Sequence, residues 1–149
     1  MPIRCEIVTQ ERTVFSDDVD YVSLPGREGV IGVLPSHSPL LTVLSFGEVF
    51  TRSNGETQYF AVGGGFAEVQ PDKVIVLADS AERADQIDLE RAEAARAEAE
   101  RLMEEGVPDD PERYRAIEQS LRMAQIQIDV SQRRATEMRQ QRGRPPQFD

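Results

Sequence analysis

The chain has no tryptophan, one cysteine, one histidine and, among 17 basic residues, a single lysine, Lys73. A lone cysteine, Cys5, excludes an internal disulfide framework and a cysteine-rich zinc site, and leaves a buried small apolar side chain as its expected role. A lone histidine, His37, has no second imidazole with which to build a metal centre. No run approaches the ~20 apolar residues of a membrane span. Met1-Pro2-Ile3-Arg4 has the features of neither a secretory signal nor an Arg- and Ser-rich transit peptide. We therefore expect a soluble chain that meets a membrane only through a partner. Positive charge is also in deficit: 27 acids against 17 bases leave a net charge of −10, which argues against nucleic acid or anionic lipid as the main partner. With 149 residues there is room for one ordinary domain or two small ones, and none for a large multi-layer enzyme.

Charge and composition are unevenly spread. Residues 1–84 hold 6 bases and 12 acids, residues 85–112 hold 3 and 11, and residues 113–149 hold 8 and 4. An acidic segment followed by a basic one implies either that the two pair with each other or that the basic end meets an acidic partner. Eight of the 10 glycines and seven of the nine aromatics fall in residues 1–66, whereas residues 81–142 are dominated by Ala, Glu, Arg, Gln and Leu. The first part thus reads as β and the second as helix.

Ile3, Cys5 and Ile7 alternate with Arg4 and Glu6, the period of a half-buried strand. Val14, Phe15, Val19, Tyr21, Val22 and Leu24 continue in short β-prone runs up to Pro25-Gly26, followed by Gly47 to Thr51, Thr57 to Val62, Phe66 to Val69 and Val74 to Leu77. Asn54-Gly55 predicts a tight hairpin because both residues accept positive φ, and Pro71-Asp72 predicts another turn. Short strands with no helix between them argue for an antiparallel sandwich or barrel. From Ala81 the period changes. Ala92, Ala95, Ala99 and Leu102 recur at three and four, and Gly106 to Pro111 stops one helix and starts the next. Tyr114, Ile117, Leu121, Ala124, Ile128, Ser131, Ala135 and Met138 then form a narrow seam, as in a helical hairpin or coiled coil. The residues from Arg142 onward predict disorder.

Few groups carry chemistry. Gly26, Gly29, Gly32 and Gly63-Gly64-Gly65 match no phosphate-cradling loop and read as turns and close strand approaches. His37 lies in Pro35-Ser36-His37-Ser38-Pro39, where two prolines suit a rigid exposed turn and a contact role rather than catalysis. Asp17, Asp18 and Asp20 read as surface. Asp88 falls on the backward extension of the Ala92 seam. It is expected to cap the helix start, the alternative being that it holds a polar ligand together with Arg91.

An ordered series resembles the epsilon subunit of bacterial and chloroplast F-type ATP synthases, whose mitochondrial counterpart is called delta. It runs through Leu24-Pro25-Gly26 with Gly29, Gly32-Val33-Leu34-Pro35-Ser36-His37-Ser38-Pro39-Leu40-Leu41-Thr42, Gly47, Gly63-Gly64-Gly65-Phe66-Ala67-Glu68-Val69, Val76-Leu77-Ala78-Asp79-Ser80-Ala81-Glu82 and Ile87-Asp88-Leu89-Glu90-Arg91-Ala92. Ser36 stands where many relatives have Gly. The resemblance spans nearly all of residues 1–140. It implies a β-sandwich N-terminal domain over residues 1–84, followed by an α-helical hairpin over 85–140 and a disordered tail over 141–149.

By the same resemblance the chain would be a non-catalytic rotor subunit, peripheral on the cytoplasmic face of the cell membrane. It would couple proton flow through the c ring to ATP synthesis via gamma. Pro35, Ser36, His37, Ser38 and Pro39 become candidate contacts to gamma or the c ring. The hairpin of bacterial relatives can fold on the sandwich or extend along gamma and restrain hydrolysis. In the extended form Arg113, Arg115, Arg122, Arg133 and Arg134 would face the acidic segment of the catalytic beta subunits of the alpha/beta assembly. Seams of Ala and Ser fit such switching, because at about 0.8 kcal/mol per buried CH₂ an Ala adds little docking energy beside Leu. No cofactor is required. Some relatives bind ATP as a regulatory ligand, which implies Ile87, Asp88, Arg91 and Ala92 as nucleotide contacts, with Arg122 or Arg115 as a second guanidinium. The family's closely spaced Arg pair in the second helix has no match here without a shift of register. The competing classes are a free-standing binding module of another assembly and a small hydrolase using His37.

Overall fold

The computed structural model describes residues 1–106 and 109–143. Eight strands come first: β1 (Ile3–Val8), β2 (Thr13–Val19), β3 (Tyr21–Gly26), β4 (Gly29–Val33), β5 (Leu40–Ser53), β6 (Glu56–Val69), β7 (Lys73–Ala78) and β8 (Ala81–Arg83). A turn of 3-10 helix, Ala84–Gln86, leads into α1 (Leu89–Glu104) and α2 (Pro111–Arg142).

Local signals set most of these bounds. Ile3, Cys5 and Ile7 are buried and Arg4 is exposed, so β1 follows its alternation. Asn54 and Gly55 have φ of 52° and 80°, the positive pair that closes a two-residue hairpin, and Ser53 faces Glu56 across it. At Pro71-Asp72 the Gln70 N–H donates to the Lys73 carbonyl at 2.7 Å, turning β6 into β7.

The strand order is β2-β1-β7-β6-β5-β3-β4, with β8 beside β6. Every pair is antiparallel except β1 with β7, which is parallel. The expectation of an antiparallel sheet therefore fails at this one place, where no tight turn joins the two strands and dictates their direction. Laid flat, three strand spacings between β2 and β6 would put Phe15 and Phe60 on the order of 14 Å apart. Their ring centroids are 5.1 Å apart and meet edge to face. The sheet is thus folded over into a sandwich. β5 and β6, 14 residues each, serve both layers. β6 makes its bend at Gly63-Gly64-Gly65, where Gly64 and Gly65 have φ of 82° and 116°, values that a side chain would strain.

Ile3, Ile7, Leu24, Val49, Phe60 and Val76 fill the interior and are fully buried. Cys5 lies among them as a free thiol. Burial above all, with a smaller push from Glu6, raises its pKa to about 12, so it packs as an apolar group and does not react as a thiolate.

Asp88 caps α1, accepting the Arg91 N–H at 3.1 Å. Asp110 caps α2, accepting from the N–H groups of Glu112 at 3.0 Å and Arg113 at 3.4 Å. Pro111 sits in the first turn of α2, where no intrahelical N–H is needed. The expected seam forms where the two helices overlap. Ala92, Ala99, Ile117, Ala124 and Ile128 are buried, and Leu102 and Leu121 are half-buried. It does not continue to Ala135 and Met138, which are exposed. α1 has 16 residues and α2 has 32, so the far half of α2 outruns its partner and turns Val130 to the sandwich instead. Gln141 and Arg142 complete α2 and Gly143 caps it. The rest of the expected tail, 144–149, and the inter-helix positions 107–108 lie outside the described residues. Among the described residues no helix is long and apolar enough to cross a membrane.

Candidate functional site

Two surfaces of the sandwich stand out. The first is an outward apolar face. Register places Val43 beside Phe66 and Phe66 beside Leu77, with Val8 next in the row. Val43, Phe66 and Leu77 are 40%, 52% and 55% exposed. Leu41, two residues along β5 from Val43, is also exposed. A shallow cavity joins Val30 and Ile31 of β4 to Leu41 and Val43. Contiguous apolar surface of this kind marks a contact with a protein, a membrane or an apolar ligand. The signal was present in Val74-Ile75-Val76-Leu77 and in Leu40-Leu41-Thr42-Val43-Leu44, which are apolar on both faces. A strand with only one face in the core does not need that.

The predicted contact turn, Pro35 to Pro39, lies at one end of this face. Ser36 adopts φ 67°, a conformation that favours glycine, and its N–H donates to the Pro71 carbonyl at 2.8 Å. His37 is half-buried, and its Nδ1 lies 2.7 Å from the Ser38 carbonyl, to which it donates. That bond runs to backbone rather than to a serine hydroxyl. Ser38 and Pro39 are exposed, and Pro39 lines a second cavity with Leu40, Leu41 and Pro71.

The second surface is where α2 lies on the sandwich. Register aligns Glu48 of β5, Ala61 of β6 and Glu82 of β8 in one row. α2 crosses it with residues three apart. The Gln127 amide donates to Glu82 at 2.9 Å, Val130 packs on Ala61, and the Arg133 guanidinium donates to Glu48 at 2.9 Å. A parallel row holds Phe46 and Gly63, with Ser80 alongside. Arg122 lies over the Phe46 ring at 5.3 Å from its centroid, and the Ser80 hydroxyl meets the Met123 sulfur at 3.7 Å. A methyl group at Gly63 would collide with the Ser80 hydroxyl and press on Phe46 and Met123, so the absence of a side chain there makes room for Ser80 and Met123 to meet. Ile87 and Ile126 complete the apolar contact, half-buried beside Ala84. Sequence reasoning missed this interface, because Met123, Ile126 and Val130 lie off the seam that faces α1.

The predicted nucleotide contacts are only partly brought together. Asp88, Arg91 and Ala92 line one cavity of ≈ 390 Å³ with Glu82, Gln86, Ala95 and Gln127. Asp88 is engaged as a cap, Ala92 is buried in the seam, and Arg91 is the only base in the lining. Arg122 is at Phe46 instead, and Arg115 is exposed in the first turns of α2. Of the arginines expected to meet an acidic partner, Arg113, Arg115, Arg122 and Arg133 are exposed. Arg134 is half-buried and lines a cavity with Tyr59 and Arg83. Among the described residues no ion pair joins the acidic α1 to the basic α2. Arg101 pairs within α1, and Arg133 pairs with the sandwich.

The chain matches two family models in order. Residues 2–84 match the model described as ATP synthase, Delta/Epsilon chain, beta-sandwich domain, and residues 85–132 match its long alpha-helix domain. It is 48% identical over 134 residues to the ATP synthase epsilon chain of Herpetosiphon aurantiacus, covering 90% of this chain and 97% of the relative. It is 58% identical over 99 residues to that of Chloroflexus aggregans, covering 66% and 71%. Its fold is similar to a chain in the Euglena gracilis mitochondrial ATP synthase structure (OSCP/F1/c-ring), with TM-score 0.70, 21% identity and coverage of 91% and 81%. A chain in the central stalk/c-ring structure of the Tetrahymena thermophila enzyme is similar at TM-score 0.60, with 13% identity and coverage of 88% and 97%.

Proposed function

The chain belongs to the ATP synthase delta/epsilon family, and from that premise we propose that it serves as the epsilon-type subunit of a rotary ATP synthase's central stalk, without an active site of its own. The observation that carries this reading is the exposed apolar row Val43, Phe66 and Leu77 on a sandwich whose core is already complete without it. In this role the row seats on the gamma stalk, and the turn from Pro35 to Pro39, with exposed Leu34 beside it, meets gamma or the c ring. The subunit then passes rotation between proton flow and catalysis, and reaches the cytoplasmic face of the membrane only through the complex. Co-purification with gamma tests it. The wild-type chain is expected to be retained by gamma, and Phe66→Glu with Leu77→Glu to be lost while remaining folded. Equal retention of both removes the assignment of that face.

The hairpin is the regulatory part of the proposal. Released from the sandwich, it frees Arg122 from Phe46 and Arg133 from Glu48 and carries them with Arg113, Arg115 and Arg134 to the acidic segment of a beta subunit, and so restrains ATP hydrolysis. Deleting residues 85–149 is expected to leave assembly intact and raise the ATPase rate of the complex. An unchanged rate removes this half. Regulation by ATP is supported by the cavity beside Asp88 and Arg91. Calorimetry with ATP on the full chain and on Asp88→Ala with Arg91→Ala decides it, absence of saturable heat in the wild type ending the idea. Bound at 100 times its dissociation constant, a ligand of the docked state would add about 2.7 kcal/mol to it.

A further inference from the structure

The row Glu48–Ala61–Glu82 treats its two carboxylates unequally. Glu82 receives a neutral amide from Gln127. Glu48 receives a guanidinium, yet its own side chain is only 17% exposed whereas that of Arg133 is 60% exposed. The covering helix brings two more carboxylates to the same place, Asp129 and Glu137, and β6 contributes the Tyr59 hydroxyl facing Glu137. The Gln125 amide donates to Asp129 at 2.9 Å, and Arg134 and Arg83 line the cavity that Glu137 shares with Tyr59. This leaves Glu48 with a single counter-ion, Arg133, itself largely in water, and Glu48 is the carboxylate that docking takes out of solvent. With α2 lifted away, Glu48 would stand on the outer face of β5 as an ordinary hydrated side chain.

We infer that docking of the hairpin on the sandwich is proton-linked through Glu48, with Arg133 as its counter-ion, so that lower pH holds the hairpin down and higher pH loosens it. The inference rests on the hairpin being a movable unit, as in the function proposed above. Burial is the dominant influence on Glu48 and outweighs the attraction of Arg133, holding the carboxyl above its usual value while docked, with Asp129 and Glu137 adding to the rise. Tyr59 does not compete in this range, since burial and Glu137 raise it to about 12. A group that binds its proton more tightly in the docked state strengthens docking as pH falls through its docked pKa toward the usual carboxylate value, and the gain is absent above that docked pKa. Each tenfold tightening of proton binding on docking is a tenfold change in the docking constant. Ala61 and Gly63 keep the apolar part of the interface thin, which leaves a change of that size able to shift the populations.

The test uses the full chain carrying spin labels at Glu11→Cys, in the turn between β1 and β2, and Ser120→Cys, on α2, both exposed. Cys5 stays unlabelled because it is buried. The short docked distance is expected to gain population as pH is lowered from 8 to 5. Glu48→Gln, which keeps the shape and a hydrogen-bonding oxygen, is expected to stay docked at every pH with the slope abolished. Arg133→Gln is expected to populate the long distance strongly at pH 8 and recover at pH 5. A flat profile in Arg133→Gln, or an undiminished slope in Glu48→Gln, overturns the inference. The measurement needs no other subunit. A failure here is therefore separable from a failure of inhibition, which is read as hydrolysis by the complex.

Discussion

The sandwich and the hairpin bury themselves with different side chains. The sandwich interior is made of Phe60, Leu24, Ile3, Ile7 and valines with no exposed surface, locked by the Phe15–Phe60 contact. Three of the five buried residues of the hairpin's seam are alanines, Ala92, Ala99 and Ala124, and its hold on the sandwich runs through Ala61, Val130 and two polar contacts. At ~25 cal/mol per Å² of apolar surface, the first region gains far more from burial per residue than the second. α1 reaches the sandwich chiefly through α2, so whatever loosens α2 frees both helices together. A rigid platform and a weakly held arm are joined in one chain.

Three substitutions would break or sharpen that contrast. Phe60→Ala empties the centre of the sandwich and is expected to cost about 3–5 kcal/mol, read as a shifted urea midpoint for the whole chain. A loss under 1 kcal/mol would mean the sandwich is not the rigid partner. Val130→Asp sets a charge against Ala61 in a site that is 1% exposed. Burying an unpaired charge costs about 3 kcal/mol or more, which undocking avoids. The expected result is faster proteolysis at the helices with the urea midpoint of the sandwich preserved, and a joint collapse of both regions would contradict the separation. Asp88→Ala removes the α1 cap and is expected to cost about 1 kcal/mol, seen as faster amide exchange in the first turn of α1 and little change in the sandwich strands.

Much of this division is legible in the sequence. The alternation of Ile3, Cys5 and Ile7, the Asn54-Gly55 turn, the cap at Asp88 and the change of period after Ala81 each depend on a few adjacent residues and on local backbone preference. The charge step between the helices was legible as well, but its meaning was not, since no ion pair crosses from α1 to α2 among the described residues. The apolar face was hidden because Phe66, Leu77 and Val43 look like core in their own strands. Only pairing shows that they share the outer side.

By itself, then, the sequence determined the kinds of element, their order, their turns and caps, and a seam for two helices, because φ preference and hydrophobic period act within a turn or a strand. Tertiary structure alone decided which face of α2 lies on the sandwich and which carboxylate it covers. Glu48, Ala61 and Glu82 are distant along the chain and become neighbours only through the register of three strands. The charge on Glu48 acquires its cost from the helix that closes over it.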